Sequence, residues 1–126
     1  MTPVVFINCQ EQPFLDDIMS WRKTYETRSR NTLGALVGQR VLLAETGHGR
    51  PVVRCSAIIR CAVPVSDRKT WNAMRKATRV PRGSKYDWKP GTRRKWLYML
   101  DNVAYCIPFH PEEGVRHGRT WMEYDN

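Results

Sequence analysis

Apolar residues occur in this chain as short runs that charged or turn-forming residues soon interrupt, and this limits every regular element to a modest length. The β-branched runs predict an opening strand over 4–9 and a hairpin whose strands cover 40–45 and 52–63. Further strands are predicted over 24–28, 95–107 and 119–124. No run approaches the ~20 apolar residues that a helix needs to cross a bilayer, so a transmembrane helix is excluded.

Two helices are predicted between these strands. Phe14, Ile18 and Trp21 recur at helical spacing and predict a short amphipathic helix. A second helix is predicted from a cap at Asp67 through Thr78. Five or six strands interrupted by two or three short helices predict a mixed α+β fold in the form of a small, partly closed β-barrel.

Length and composition point to one domain in a reducing compartment. A chain of 126 residues, 41% of them hydrophobic, is long enough to bury a proper core. The N-terminus lacks the basic region of a signal peptide and reaches polar residues at Asn8, so we expect a cytoplasmic protein without a membrane partner. The four cysteines form no CxxC pair and the histidines lack zinc-ligand spacing. We therefore expect buried, reduced thiols, no metal and no cofactor.

The positive charge is concentrated in one stretch, residues 68–95, which we call the basic segment. The chain has 21 Lys and Arg against 12 Asp and Glu, a net charge of +9. Eleven of the cations and a single acid, Asp87, lie in the basic segment, which leaves the rest of the chain almost neutral. A surface this basic favours a polyanionic partner.

Aromatic residues are interleaved with these cations at Trp71, Tyr86 and Trp88, the last two in a predicted exposed loop over 83–91. Cations that neutralise phosphates together with aromatic rings that stack on bases are typical of proteins that bind single-stranded nucleic acid. RNA or single-stranded DNA is therefore the predicted partner, with a solvated basic surface and an acidic protein partner as the alternatives. The predicted contacts of this segment are Arg68, Lys69, Arg75, Lys76, Arg79, Arg82, Lys85, Tyr86, Trp88, Lys89, Arg93, Arg94 and Lys95.

A second group of polar residues lies at 22–28, with the sequence Arg-Lys-Thr-Tyr-Glu-Thr-Arg. Successive side chains of a strand point to opposite faces, so Thr24, Glu26 and Arg28 are expected to project together. Lys23, at the start of the strand, can reach either face. Three interpretations remain open: a structural ion pair, a recognition surface, and a catalytic group in which Lys23, Thr24 and Glu26 take part.

This order of elements resembles the ASCH domain, a relative of the PUA RNA-binding fold. The resemblance rests on Gln12-Pro13-Phe14, on residues 22–28 and on the link into Gly38-Gln39-Arg40-Val41. It continues in residues 96–103, in Pro108 and in residues 118–121. The resemblance implies a single PUA-like barrel over 1–126 with a basic cleft lined by residues 23–28, to which residues 67–95 add a basic helix–loop insertion. It also implies binding of RNA or DNA, with Arg22 and Arg28 as further contacts.

Some ASCH proteins that this chain resembles are enzymes, which makes a hydrolase the alternative function. In the N4-acetylcytidine amidohydrolases the motif lysine is paired with a threonine nucleophile three residues on. Here Lys23 holds the lysine position, Glu26 replaces the threonine, and Thr24 is the nearest hydroxyl. A ribonuclease branch uses lysine with tyrosine and serine, types present here as Tyr25, Tyr98 and Ser29. Whether the chain is an enzyme stays open on the sequence.

Overall fold

A computed structural model describes residues 2–112, 114–118 and 120–125 of the chain. The fold is mixed α+β, as predicted. The strands are β1 (Thr2–Asn8), β2 (Tyr25–Arg28), β3 (Arg40–Thr46), β4 (Val52–Val65), β5 (Lys95–Phe109), β6 (Gly114–His117) and β7 (Trp121–Tyr124). The helices are α1 (Phe14–Met19), α2 (Arg68–Ala73) and α3 (Arg75–Thr78), with a 3₁₀ turn at Gly34–Leu36. No helix in these described ranges is long and apolar enough to traverse a lipid bilayer.

The strands form one seven-stranded sheet in the order β2-β5-β4-β3-β1-β7-β6. β1 pairs in parallel with β3, and the other neighbours are antiparallel. Register shifts interrupt the β3–β4 ladder once and the β4–β5 ladder three times. Such bulges bend strands and increase their twist, so the sheet coils strongly.

The coiling brings β2 against β1, although the two strands are four places apart in the sheet. In a flat sheet with a spacing of about 4.8 Å they would lie about 19 Å apart. Instead, a guanidinium nitrogen of Arg28 in β2 donates a hydrogen bond of 2.8 Å to the carbonyl oxygen of Phe6 in β1. The prediction of a barrel is not confirmed, because β2 and β6 remain the sheet edges in the part of the chain that the structure describes.

The main core lies inside the coiled sheet, where α1 closes one end. Phe14, Leu15 and Ile18 of α1 are buried against strand residues such as Ile7 and Leu97. This confirms the helix predicted from the spacing of Phe14 and Ile18, although α1 ends at Met19 and Trp21 is exposed. The basic segment adds Trp71 and Val80 to the same core.

Other predicted elements differ from the structure in their bounds. The predicted second helix is divided at Met74, although its Asp67 cap is confirmed by a side-chain bond from the Thr70 N–H. β4 continues through Pro64, because β3 pairs with β4 only as far as Ile58 and the missing N–H of proline breaks no ladder on that side. β6 was not predicted, and the predicted start of the last strand, Arg119, lies outside the described residues.

The expectation of buried thiols is correct for two of the four cysteines. Cys9 and Cys55 are buried, and burial raises their pKa values to about 11 and about 12. Cys61 and Cys106 are only half-buried: Cys61 follows a register shift in the β4–β5 ladder, and Cys106 packs at the edge of a second, smaller core cluster that includes Val4 and Met122.

Candidate functional site

A cavity of about 290 Å³ opens between β1 and β2, where the sheet coils back on itself. We call this cavity the cleft. It is lined by Phe6, Ile7, Asn8, Phe14, Glu26, Thr27, Arg28, Ser29, Thr46, Lys85, Tyr86 and Lys95. One wall therefore comes from the motif at 22–28, and another comes from the basic segment.

Three charged side chains of the motif form a linked cluster at the base of the cleft. The Glu26 carboxylate accepts a hydrogen bond from the Thr27 N–H at 3.0 Å and lies 3.3 Å from Lys23 Nζ through its Oε1 atom. Its other oxygen, Oε2, accepts a hydrogen bond of 2.9 Å from Arg28 Nη2. Burial alone would raise the pKa of Glu26, but Lys23 and Arg28 lower it below its ordinary value, so the carboxylate is ionised.

Lys23 lies behind the cleft rather than in its wall. It is only 2% exposed, and its Nζ donates a 2.7 Å hydrogen bond to the Thr78 carbonyl oxygen and lies 4.6 Å from the ring centre of Phe14. Burial lowers the pKa of Lys23, and the neighbouring Glu26 opposes this effect. The amine therefore fixes Glu26 and α3 in place, and a ligand in the cleft would meet Glu26 and Arg28 first.

Arg28 presents donors to the cleft. Its Nη2 is used twice, by Phe6 and Glu26, whereas Nη1 has no hydrogen-bond partner among the described residues. The side chain is 17% exposed, and the residue forms part of the cleft wall. A planar guanidinium held by two bonds is a suitable donor for a base carbonyl or a phosphate oxygen.

The aromatic wall of the cleft comes from Phe14 and Tyr86, whose rings meet edge to face at a centroid distance of 5.5 Å and an angle of 75°. Lys95 Nζ donates a 2.9 Å hydrogen bond to the Tyr86 carbonyl oxygen and so holds the loop in place. Burial lowers the pKa of Lys95, with Asp87 opposing. Lys85, beside Tyr86, keeps an exposed side chain at the rim.

Asp87, the one acid of the basic segment, organises the loop over 83–91. Its Oδ1 accepts hydrogen bonds from Trp71 Nε1 at 2.7 Å, the Trp88 N–H at 2.8 Å and Arg75 Nη2 at 3.0 Å. Its Oδ2 accepts a bond of 2.8 Å from the Gly83 N–H. Burial would raise the pKa of Asp87, but these donors lower it well below its ordinary value. The loop is therefore a folded unit.

This unit corrects the expectation of an exposed loop with free aromatic rings. Trp88 is half-buried and packs on the buried Trp71 with ring centres 6.3 Å apart, and Tyr86 is half-buried against Phe14. Arg75 and Lys95 are drawn into the same structure by Asp87 and Tyr86. The other nine cations of the segment remain exposed: Arg68, Lys69, Lys76, Arg79, Arg82, Lys85, Lys89, Arg93 and Arg94.

The remaining candidates of the motif are divided between the cleft and its surroundings. Thr24 is absent from the residues that line the cleft, where β2 and the residue after it supply the hydroxyl groups of Thr27 and Ser29 beside those of Thr46 and Tyr86. Tyr98 is fully buried with its hydroxyl 2.7 Å from Asn31 Oδ1. Arg22 is exposed beyond α1, with its Nε 3.9 Å from the Asp17 carboxylate.

Sequence reasoning missed the contribution of β1 and β3 to the cleft, which Phe6, Asn8 and Thr46 represent. No local pattern marks these residues, because they reach the site through sheet coiling. The role of Asp87 did carry a signal: it is the single acid among eleven cations and is flanked by Tyr86 and Trp88.

Comparison with known proteins gives structural neighbours only. No family model matches the sequence, and no curated protein matches it. The crystal structure of a serine-to-alanine mutant of ZmASCH, from Zymomonas mobilis, superposes with a TM-score of 0.76 at 18% identity, covering 99% of this chain and 88% of that one. The structure of ASCH from the same organism gives a TM-score of 0.69 at 22% identity, covering 86% and 73%.

A tyrosine-to-phenylalanine mutant of ZmASCH gives a TM-score of 0.69 at 21% identity, with 86% of this chain and 75% of that chain covered. These identities are low, so the agreement concerns the arrangement of helices and strands rather than the residues of the site. It supports the resemblance drawn from the sequence, and the chain therefore has the fold of ASCH domain proteins.

Proposed function

We propose that this chain binds single-stranded nucleic acid, RNA or DNA, with one nucleotide in the cleft and the neighbouring phosphates on the basic segment. The observation that carries the proposal is that the cleft wall is built from two separate parts of the chain. Glu26 and Arg28 come from the motif, and Lys85 and Tyr86 come from the basic segment. A ligand in the cleft would thus touch both of the features that the sequence presents separately.

The size and chemistry of the cleft suit one nucleotide. About 290 Å³ is at the low end of small-molecule sites, which favours a single base with its sugar over a larger ligand. The Tyr86 ring, whose centre lies 5.2 Å from Lys85 Nζ, is the surface proposed for base stacking, and Arg28 offers donors for base or phosphate oxygens. The ionised Glu26 offers an acceptor for a base amino group.

The surface of the basic segment suits a phosphate backbone. Nine of its eleven cations are exposed, while its single acid is buried and neutralised by donors of the same segment. No acidic side chain of the segment therefore competes with a polyanion for these cations. Sequence-independent attraction of this kind supplies most of the affinity in non-specific nucleic-acid binding.

Replacing Tyr86 with leucine tests the proposal, because leucine keeps apolar packing against Phe14 and removes base stacking. Fluorescence anisotropy with labelled single-stranded RNA and DNA of about 12 nucleotides measures the affinity. We expect Tyr86→Leu to weaken binding by roughly tenfold, since one stacked base contributes ~1–3 kcal/mol. Tyr105→Leu, which changes an exposed tyrosine outside the cleft, is the matched control. Failure of the unaltered protein to bind either oligonucleotide would contradict the proposal.

A hydrolase acting on nucleosides or RNA is the second candidate, and the position of the Glu26 carboxylate and the Thr27 hydroxyl side by side in the cleft wall favours it. Lys23 would act only through Glu26, because its amine lies behind the cleft. Incubation with N4-acetylcytidine and with labelled RNA separates the two functions. Turnover that Thr27→Val abolishes and Thr24→Val spares would support an enzyme, because only Thr27 lines the cleft. Binding without turnover would leave nucleic-acid recognition alone.

A further inference from the structure

A second depression, about 710 Å³ in volume, lies beside α3 and is lined mainly by polar and cationic residues. We call it the α3 groove. Its polar lining consists of Gln12, Asn72, Arg75, Lys76, Arg79 and Arg82. Four of these six side chains are cationic, and none of the described residues that line the groove is acidic. The groove therefore concentrates positive charge in a concave surface.

The α3 groove and the cleft are separated by two short connections of the chain. Gln12 lines the groove and Phe14 lines the cleft, and two residues span at most about 7 Å. Arg82 lines the groove and Lys85 lines the cleft, three residues later. Residues 12–14 and 82–85 thus border both cavities and form the ridge that a polymer chain would cross to reach from one to the other.

One arginine of the groove, Arg75, is held in a fixed position by hydrogen bonds, and a second, Arg79, is exposed beside a buried acid. Arg75 donates to the Val80 carbonyl oxygen at 3.0 Å and to Asn72 Oδ1 at 2.6 Å, besides its bond to Asp87. Arg79 follows the last turn of α3 with a φ of 61°, a left-handed conformation that favours glycine. Its Nε lies 3.8 Å from the buried Asp17 carboxylate. Position 79 therefore has an arginine although its backbone conformation favours glycine.

We propose that the α3 groove binds backbone phosphates of a single-stranded nucleic acid whose neighbouring nucleotide occupies the cleft. This inference rests on the proposed function and adds to it the path of the strand, from the cleft across the ridge and along α3. A linear polyanion with regularly spaced charges fits two cationic cavities joined in this way. The exposed side chains of Lys76, Arg79 and Arg82 carry charged donors that are suited to phosphate oxygens.

The test compares a groove variant, Lys76→Ala with Arg79→Gly, with a control that combines Arg40→Ala and Arg60→Ala, two exposed arginines outside the basic segment that line neither cavity. Anisotropy titrations use single-stranded RNA of two and of about 12 nucleotides, at several salt concentrations. We expect the groove variant to lose at least tenfold in affinity for the long strand and to keep its affinity for the dinucleotide. The salt slope should fall by about 0.7 for each phosphate contact that is lost. The Arg40→Ala, Arg60→Ala control should change both quantities much less.

The outcomes separate this inference from the proposed function. If the unaltered protein binds the long strand and Tyr86→Leu weakens this binding, but the groove variant matches the Arg40→Ala, Arg60→Ala control, the groove assignment is overturned and the proposed function stands. If no oligonucleotide binds, both are overturned. If the groove variant loses affinity for poly-glutamate and none for RNA, the groove serves an acidic protein and the assignment fails.

Thermal unfolding checks that the groove variant is still folded. Glycine suits the left-handed backbone at 79, so Arg79→Gly should leave the melting temperature nearly unchanged. If the double variant does not fold, Arg82→Ala replaces it, because Arg82 is exposed and has no side-chain bond among the described residues.

Discussion

At the scale of single residues, the cleft depends on how its buried charges are balanced. Both oxygens of Glu26 are engaged, by Lys23 and the Thr27 N–H on one side and by Arg28 on the other. Lys23 has almost no access to solvent, and the negative charge that balances its ammonium group is the neighbouring Glu26 carboxylate. Removal of one partner from such a buried pair leaves an uncompensated ion, which is more costly than removal of both.

Glu26→Gln should therefore destabilise the fold by about 3–5 kcal/mol near neutral pH, because it leaves the Lys23 cation buried beside Arg28. The loss should shrink as the pH rises, since a lysine whose folded pKa is lowered below 10.5 deprotonates first in the folded state. The double variant Lys23→Met with Glu26→Gln should recover much of the stability. Urea denaturation of the single and double variants near neutral pH and in mild alkali measures these effects. Equal stability of the two variants would show that the buried charge is not the cause.

At the scale of elements, one buried acid, Asp87, fixes the conformation of the loop over 83–91, which belongs to the basic segment. Asp87 gathers donors from α2, from Gly83 and from its own neighbour Trp88. The loop backbone from which the exposed side chains of Lys85 and Lys89 extend is thereby held in one conformation. Asp87 is absent from the lining of the cleft, so its contribution to the site is positional.

Asp87→Asn should cost about 2–4 kcal/mol of stability near neutral pH, because an amide replaces a charged acceptor of four hydrogen bonds. The folded pKa of Asp87 is lowered, so its stabilisation is complete above its ordinary value of 3.8 and is lost as the pH falls below that value. The stability difference between the two proteins should therefore narrow in strong acid. Chemical denaturation between about pH 6 and pH 2 checks this, and a constant difference would contradict it.

At the scale of the whole molecule, charge is distributed unequally between the cleft and the exposed surface of the basic segment. The cleft contains the Glu26 carboxylate beside three cations, whereas the basic segment exposes nine cations around it. The total of +9 therefore acts mainly at the surface, where it attracts a polyanion from a distance and is screened by salt.

Binding to single-stranded RNA should accordingly weaken steeply with salt. Four or more phosphate contacts would give a slope of about −3 or steeper in a plot of log affinity against log salt. Arg93→Gln with Arg94→Gln, which removes two exposed cations, should make this slope shallower by about 1.4. Titrations between about 50 and 200 mM salt measure both slopes. A slope near zero for the unaltered protein would rule out binding through contacts to the backbone phosphates.

Much of the secondary structure could be predicted because its signals are local. The run at 4–9 and the spacing of Phe14 and Ile18 identify β1 and α1 within a few residues. β6 could not be found in this way, because its four residues are all exposed and have no apolar alternation. The division of the second helix at Met74 likewise has no proline or glycine to announce it.

The site could be predicted only in part, for a physical reason. The association of Glu26 with Arg28 follows from strand alternation and is found in the structure as a 2.9 Å ion pair. The meeting of β2 with Phe6, and of both with Tyr86, depends on bulges that coil the sheet over long sequence distances. The packing of Trp88 on Trp71 depends on the same kind of distant contact.

The closure between β1 and β2 has a consequence for ligand size. In a barrel closed by a continuous backbone ladder, the circumference is set by the number and stagger of the strands. Here a hydrogen bond from the Arg28 side chain spans part of the gap, so the width of the cleft at this point depends in part on the length of that residue. A shorter residue at this position would resize the opening without breaking any strand pairing. The width of the cleft at this point is thus open to change by single substitutions at Arg28.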